Sequence, residues 1–117
     1  MIQCYKFQGK VVEEVSSMED AHWIHLCPPF NEETIESYAD RFSVPVDFIQ
    51  DSLDIDERSR YEIEDEGKLI LINTPIINQT MKENEAIYVT IPTGIILVDK
   101  KVITVSQPDN PIIERIL

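Results

Sequence analysis

Asp51–Asn73, DSLDIDERSRYEIEDEGKLILIN, carries an acidic helix end through an arginine-bearing turn and straight into an apolar strand. Arg60–Ile63 and Lys68–Ile77 are rich in β-favouring residues. They read as two strands of a hairpin around Asp65-Glu66-Gly67, with the glycine expected to supply the positive φ of a tight loop. The second strand, KLILINTPII, is apolar almost throughout. A strand of that kind belongs inside a sheet covered on both faces, because an antiparallel strand with one wet face alternates instead.

Working outward toward the C-terminus, Ile87–Ile91 reads as a strand, Pro92-Thr93-Gly94 as punctuation, and Ile95–Val98 and Val102–Val105 as strands flanking Asp99-Lys100-Lys101. Asn78–Glu85 is a polar surface loop. Asn110 can cap a helix, Pro111 suits its first turn, and Ile112, Ile113, Ile116 and Leu117 form an apolar stripe. No glycine or asparagine follows to close that helix, so a chain cut inside a longer helix is expected.

Toward the N-terminus, Met1–Val15 predicts two short strands turning at Gly9-Lys10, and His22–Leu26 predicts another that stops at Pro28-Pro29. Asn31 caps a helix whose Ile35, Tyr38, Ala39 and Phe42 share one stripe. Pro45 opens a second helix, with Phe48, Ile49 and Leu53 inward and Asp47, Asp51 and Asp54 on another flank. The fold class is α/β (α+β): a mixed sheet of about six to seven strands covered by short helices.

Length and composition fit one domain, 117 residues with 43% apolar and 27% charged. The formal charge is −12, and −7 of it lies between Asp47 and Glu66, where nine carboxylates face Arg58 and Arg60. Such a surface repels nucleic-acid phosphates and anionic lipid, and favours cations or basic partners. Cys4 and Cys27 lack a CxxC spacing and read as reduced thiols. With no signal peptide and no apolar run long enough to span a bilayer, the chain as it stands reads as soluble.

Asp47, Asp51 and Asp54 at i, i+4 and i+7 crowd one helical flank, where like charges oppose one another. Mg²⁺ suits such a flank because it keeps most of its waters and takes one or two protein carboxylates. An ordinary solvated acidic face has the same spacing. His22 and His25 point to opposite faces of an extended strand and cannot share a zinc ion. Arg58 and Arg60 are expected to pair with neighbouring carboxylates, and Trp23 to anchor a core or interface. No nucleophile elbow, P-loop or dinucleotide fingerprint is present, so the chain does not read as an enzyme.

The order WIHL, FIQDSLD, ERSRYEIEDEGKLILIN, YVTIPTGIILVDKKVITV and NPIIERI, from Trp23 to Leu117, resembles the cytoplasmic amino-terminal domain of CorA-type magnesium transporters. The family's tryptophan strand is matched at Trp23, its acidic helix end at Asp51 and Leu53, its arginine turn and strand at Arg58, Arg60, Tyr61 and Glu62, and its hairpin at Ile96–Val105. The turn departs from the family's Arg-Pro-Lys, since Arg58-Ser59-Arg60 keeps the charges and loses the proline.

The resemblance implies one regulatory domain over residues 1–117, cut before the stalk, the Gly-Met-Asn signature and the two membrane helices. It implies a homopentameric channel at the cell membrane, with this domain on the cytoplasmic face, attached to the membrane only through those later helices. It also implies regulatory Mg²⁺, with Co²⁺, Ni²⁺ or Zn²⁺ as alternatives, bound between subunits at Asp51, with Asp47 and Asp54 as supporting groups. An acidic cytosolic module that binds a basic protein is the alternative reading, and a small Mg²⁺-dependent hydrolase a third.

Overall fold

The computed structural model describes residues 2–54, 56–64, 67–78 and 87–106, with side chains described outside 74–90. The amino-terminal hairpin is β1 (Ile2–Gln8) and β2 (Val11–Val15), followed by β3 (Trp23–Leu26), α1 (Glu32–Phe42) and α2 (Val46–Ser52). Then come β4 (Arg60–Glu64), β5 (Gly67–Asn78), β6 (Ile87–Val98) and β7 (Lys101–Ser106). All seven strands join one sheet in the order β2-β1-β3-β7-β6-β5-β4. β4 to β7 form an antiparallel meander, and the one parallel pair joins β3 to β7, Trp23 opposite Val102 and Leu26 opposite Val105. The sheet is therefore mixed, as expected.

Asn31 caps α1 through a reciprocal pair of bonds: its Oδ1 accepts from the Thr34 N–H at 2.8 Å, and Thr34 Oγ1 accepts from the Asn31 N–H at 2.9 Å. A cap of this kind is worth about 1 kcal/mol. Both helices pack on one face of the sheet. Tyr38 and Ala39 from α1 and Phe48 and Ile49 from α2 meet Ile24, Leu26, Leu69, Ile96, Ile103 and Val105, and Phe48, Ile24, Leu26, Ile49, Leu69, Ile96 and Val105 are fully excluded from solvent. Each such side chain contributes roughly 1.5–3 kcal/mol. Leu53, the α2 C-cap, is partly buried against the same core.

Two turn expectations are corrected. Gly67 adopts no left-handed conformation and instead begins β5, while Asp65 and Glu66 lie outside the described residues. Positive φ occurs at Gly9 (62°) and at Asp99 and Lys100 (48° and 62°), which turn β1 into β2 and β6 into β7. A two-residue turn with both φ positive matches the twist of the flanking strands.

The second correction concerns Pro92-Thr93-Gly94, which does not interrupt a strand: β6 runs through it from Ile87 to Val98. Pro92 lies one residue beyond the last described β6–β7 pair, Thr93 opposite Ser106, where a missing N–H harms that ladder least. Gly94 answers to packing. A Cβ there would lie 1.8 Å from Ser52 Oγ and 2.5 Å from Ser52 Cβ, so glycine lets the end of α2 rest against β6. The expected loop after Asn78 and the expected C-terminal helix fall on residues 79–86 and 107–117, outside the described residues.

Candidate functional site

Because Ser52 is fully buried at Gly94, with its hydroxyl donating to the Phe48 carbonyl at 2.6 Å, the last turn of α2 is fixed against the sheet. That contact sets Asp51, the preceding residue, beside the first residue of β4. Arg60 Nη2 donates to Asp51 Oδ2. The same guanidinium reaches Glu57 Oε2 from Nη1 at 2.6 Å, and Glu62 Oε2 from Nη2 at 3.2 Å and from Nε at 3.3 Å. The expectation that Arg60 is satisfied by neighbouring carboxylates thus holds, with three of them engaged at once. Hydrogen bonding to Asp51 first, then to Glu62, raises the Arg60 pKa above its ordinary value against a smaller opposing effect of burial.

Asn73 on β5 pins the segment that supplies Glu57. Its Nδ2 donates to the Glu57 carbonyl at 3.0 Å, and its backbone N–H donates to Ser59 Oγ at 3.1 Å. Arg58, one residue away, is exposed and forms no ion pair among the described residues.

The three aspartates of the acidic flank are not equivalent. Asp47 lies exposed in the first turn of α2, and Asp51 lies partly buried in its last. Asp54 lies beyond the helix, which ends at Ser52, so it does not continue the i, i+4, i+7 row. Its Oδ1 accepts from the Asp56 N–H at 2.9 Å and shapes the turn toward β4. Among the described residues no group of three or more His, Cys, Asp or Glu is placed to hold a metal ion. A largely hydrated Mg²⁺ takes one or two carboxylates from a protein, and the residues of α2 that would offer them are Asp51, with Oδ2 on Arg60, and Asp47 one turn earlier. The donor set fits part of a coordination shell and calls for further oxygens from elsewhere.

The histidines occupy separate places. His22 Nδ1 accepts from the Phe7 N–H at 2.9 Å and its ring stacks on Phe7. His25 is buried on β3, its Nδ1 2.7 Å from Thr104 Oγ1, and that hydroxyl also accepts from Trp23 Nε1 at 2.8 Å. Burial pushes the His25 pKa down, and a hydrogen bond with the Thr104 backbone offsets this only in part. Trp23, 3% exposed and against the Tyr5 ring, is a core anchor.

The three-way engagement of Arg60 and the Ser52–Gly94 contact were not read from the sequence. Glu57 and Glu62 lie within three residues of Arg60, a spacing that a pairing search finds; Asp51, nine residues away, becomes its partner only through the fold.

Against this geometry, the family model described as "CorA-like Mg2+ transporter protein" matches residues 18–117. Among solved structures, the complete CorA magnesium transporter from Methanocaldococcus jannaschii shares the fold at 21% identity and a TM-score of 0.68, over 99% of this chain and 35% of that one. The soluble domain of CorA from the same organism gives 21% identity and a TM-score of 0.66, over 99% of this chain and 44% of that one. The chain therefore spans under half of either structure. No curated protein matches it. Among the described residues no helix is long and apolar enough to cross a membrane. Matched over all but its first 17 residues, the chain belongs to the CorA-like Mg²⁺ transporter protein family.

Proposed function

We propose that residues 1–117 form the cytoplasmic regulatory domain of a CorA-like divalent cation transporter, one that responds to the ion and has no catalytic role. The observation that carries this reading is the family match over residues 18–117, in a fold shared with the soluble domain of CorA. In the proposal, Asp51 contributes a carboxylate to a Mg²⁺ held between neighbouring copies of a homopentamer. Asp47 assists from the preceding turn and Asp54 from the turn beyond, and Co²⁺, Ni²⁺ or Zn²⁺ are alternative ions.

Electrostatics supports that assignment. The segment from Asp47 to Glu66 carries −7, and two such segments brought together across a subunit boundary repel. A divalent ion bound between them lowers the repulsion only in the packed assembly, and so shifts the population toward it. The ion supplies charge neutralisation; the chain supplies the rigid seat, Ser52 on Gly94, that keeps Asp51 at a fixed place on the surface.

Limited proteolysis of the full-length protein in its membrane, with and without millimolar Mg²⁺, tests the reading. Wild type is expected to gain protection with Mg²⁺, and Asp51→Ala to lose most of that gain. Protection that Asp51→Ala leaves intact refutes Asp51 as the responding group.

A further inference from the structure

We propose that Arg60 is a resident competitor for the divalent cation at Asp51, so that this chain's ion affinity is set by a guanidinium that the ion must partly displace. The inference rests on the proposed function, deepening its account of the site. It comes from geometry: a single side chain bonds Asp51, Glu57 and Glu62, and one of the two Asp51 oxygens is taken up by Nη2.

Arginine suits this role. Its planar fork holds several carboxylates simultaneously and stays charged at every physiological pH. One positive charge against three carboxylates leaves the knot at −2, so it still attracts a dication after the internal ion pairs have formed. The four side chains are each about a quarter to two-fifths exposed, which keeps the pairs within reach of solvent and weak enough to exchange. Glu57 and Glu62 give the displaced guanidinium somewhere to remain, so releasing Asp51 does not leave Arg60 without a counter-charge.

A Mg²⁺ titration of the full-length protein, followed by isothermal titration calorimetry so that the Asp51 variants can be read on the same scale, separates competition from simple support. Arg60→Gln is expected to tighten the apparent affinity roughly three- to tenfold, as loss of a partly exposed ion-pair network allows. Arg60→Lys, which keeps a charge but cannot fork, is expected to fall between the two and serves as the folded variant should Arg60→Gln not fold. Arg60→Gln also removes a positive charge, which tightens a cation site at any distance, so the deciding result is tightening in Arg60→Lys, which keeps the charge and loses the fork. Affinity that is unchanged, weaker or undetectable in the Arg60 variants overturns the proposal. Where Asp51→Asn weakens wild-type binding while the Arg60 variants do nothing, competition fails and the proposed function stands. Where Arg60→Gln tightens binding and adding Asp51→Asn leaves the gain in place, the assignment of the ion to Asp51 fails, and the proposal with it.

Discussion

Two polar clusters, one at the middle of the sheet and one at an edge, are built on different physics. Trp23, Thr104 and His25, on the parallel β3–β7 pair, are all buried and carry no formal charge while His25 is neutral. Asp51, Arg60, Glu57 and Glu62, at the β4 edge, are partly exposed and held together by ion pairs. In the first cluster each hydrogen bond satisfies a group that water cannot reach, so losing a partner is expensive and salt is irrelevant. In the second, water and ions compete for every contact, so each pair is individually weak and open to exchange.

The sharpest way to break this contrast is Thr104→Val, a near-isosteric change that removes the shared hydroxyl. Trp23 Nε1 then loses its acceptor and His25 Nδ1 its hydroxyl partner, and the two losses cost about 2–4 kcal/mol. Urea denaturation is expected to show that loss equally at low and high salt. A cost that shrinks as salt rises would place the buried cluster in the same class as the charged one.

Protonation of His25 tests the same cluster more gently. Burial lowers its folded-state pKa from the ordinary 6.5, so as the pH falls the unfolded chain takes up this proton first. The neutral imidazole's contribution is therefore intact above about pH 6.5 and is lost as the pH drops below it, by at most about 1.4 kcal/mol per unit, until the folded-state pKa is reached. Stability measured between about pH 7 and pH 5.5 is expected to fall more steeply in wild type than in His25→Gln, the window following from the unfolded-state value. Equal slopes would mean that His25 does not titrate differently in the two states.

The two clusters also mark what could be read from the chain beforehand. The β4–β5 hairpin and the α1 stripe were legible because periodicity and capping are local: Tyr38 and Ala39 are buried where the spacing puts them, and Asn31 caps where a helix start was expected. Pro92-Thr93-Gly94 misled because its residues serve neighbours remote in sequence. Pro92 sits one residue past the last described β6–β7 pair, and Gly94 is small because Ser52 presses on it from 42 residues earlier. At the site, the acidity and the arginine turn were visible. The link from Asp51 to Arg60 was not, since it needs α2 docked on β6 before the two side chains meet. Nor could spacing reveal that Asp54 leaves the helical row, because α2 ends two residues before it.

The smallest expected effect belongs to Glu57→Gln in the charged cluster. It removes one of the carboxylates that hold Arg60, yet the guanidinium keeps Asp51 and Glu62, and the segment from Asp47 to Glu66 drops from −7 to −6. Lost attraction and relieved repulsion therefore oppose each other. The net change in stability is expected to stay within about 0.5 kcal/mol, in line with partly exposed pairs. Its sign at about 0.05 M NaCl reports which of the two dominates, and by about 1 M, where the screening length is about 3 Å, the difference should close. A loss above about 1.5 kcal/mol that persists at high salt would mean that Glu57 acts as a buried structural partner of Arg60 and that the β4 edge is no more exchangeable than the Trp23 cluster.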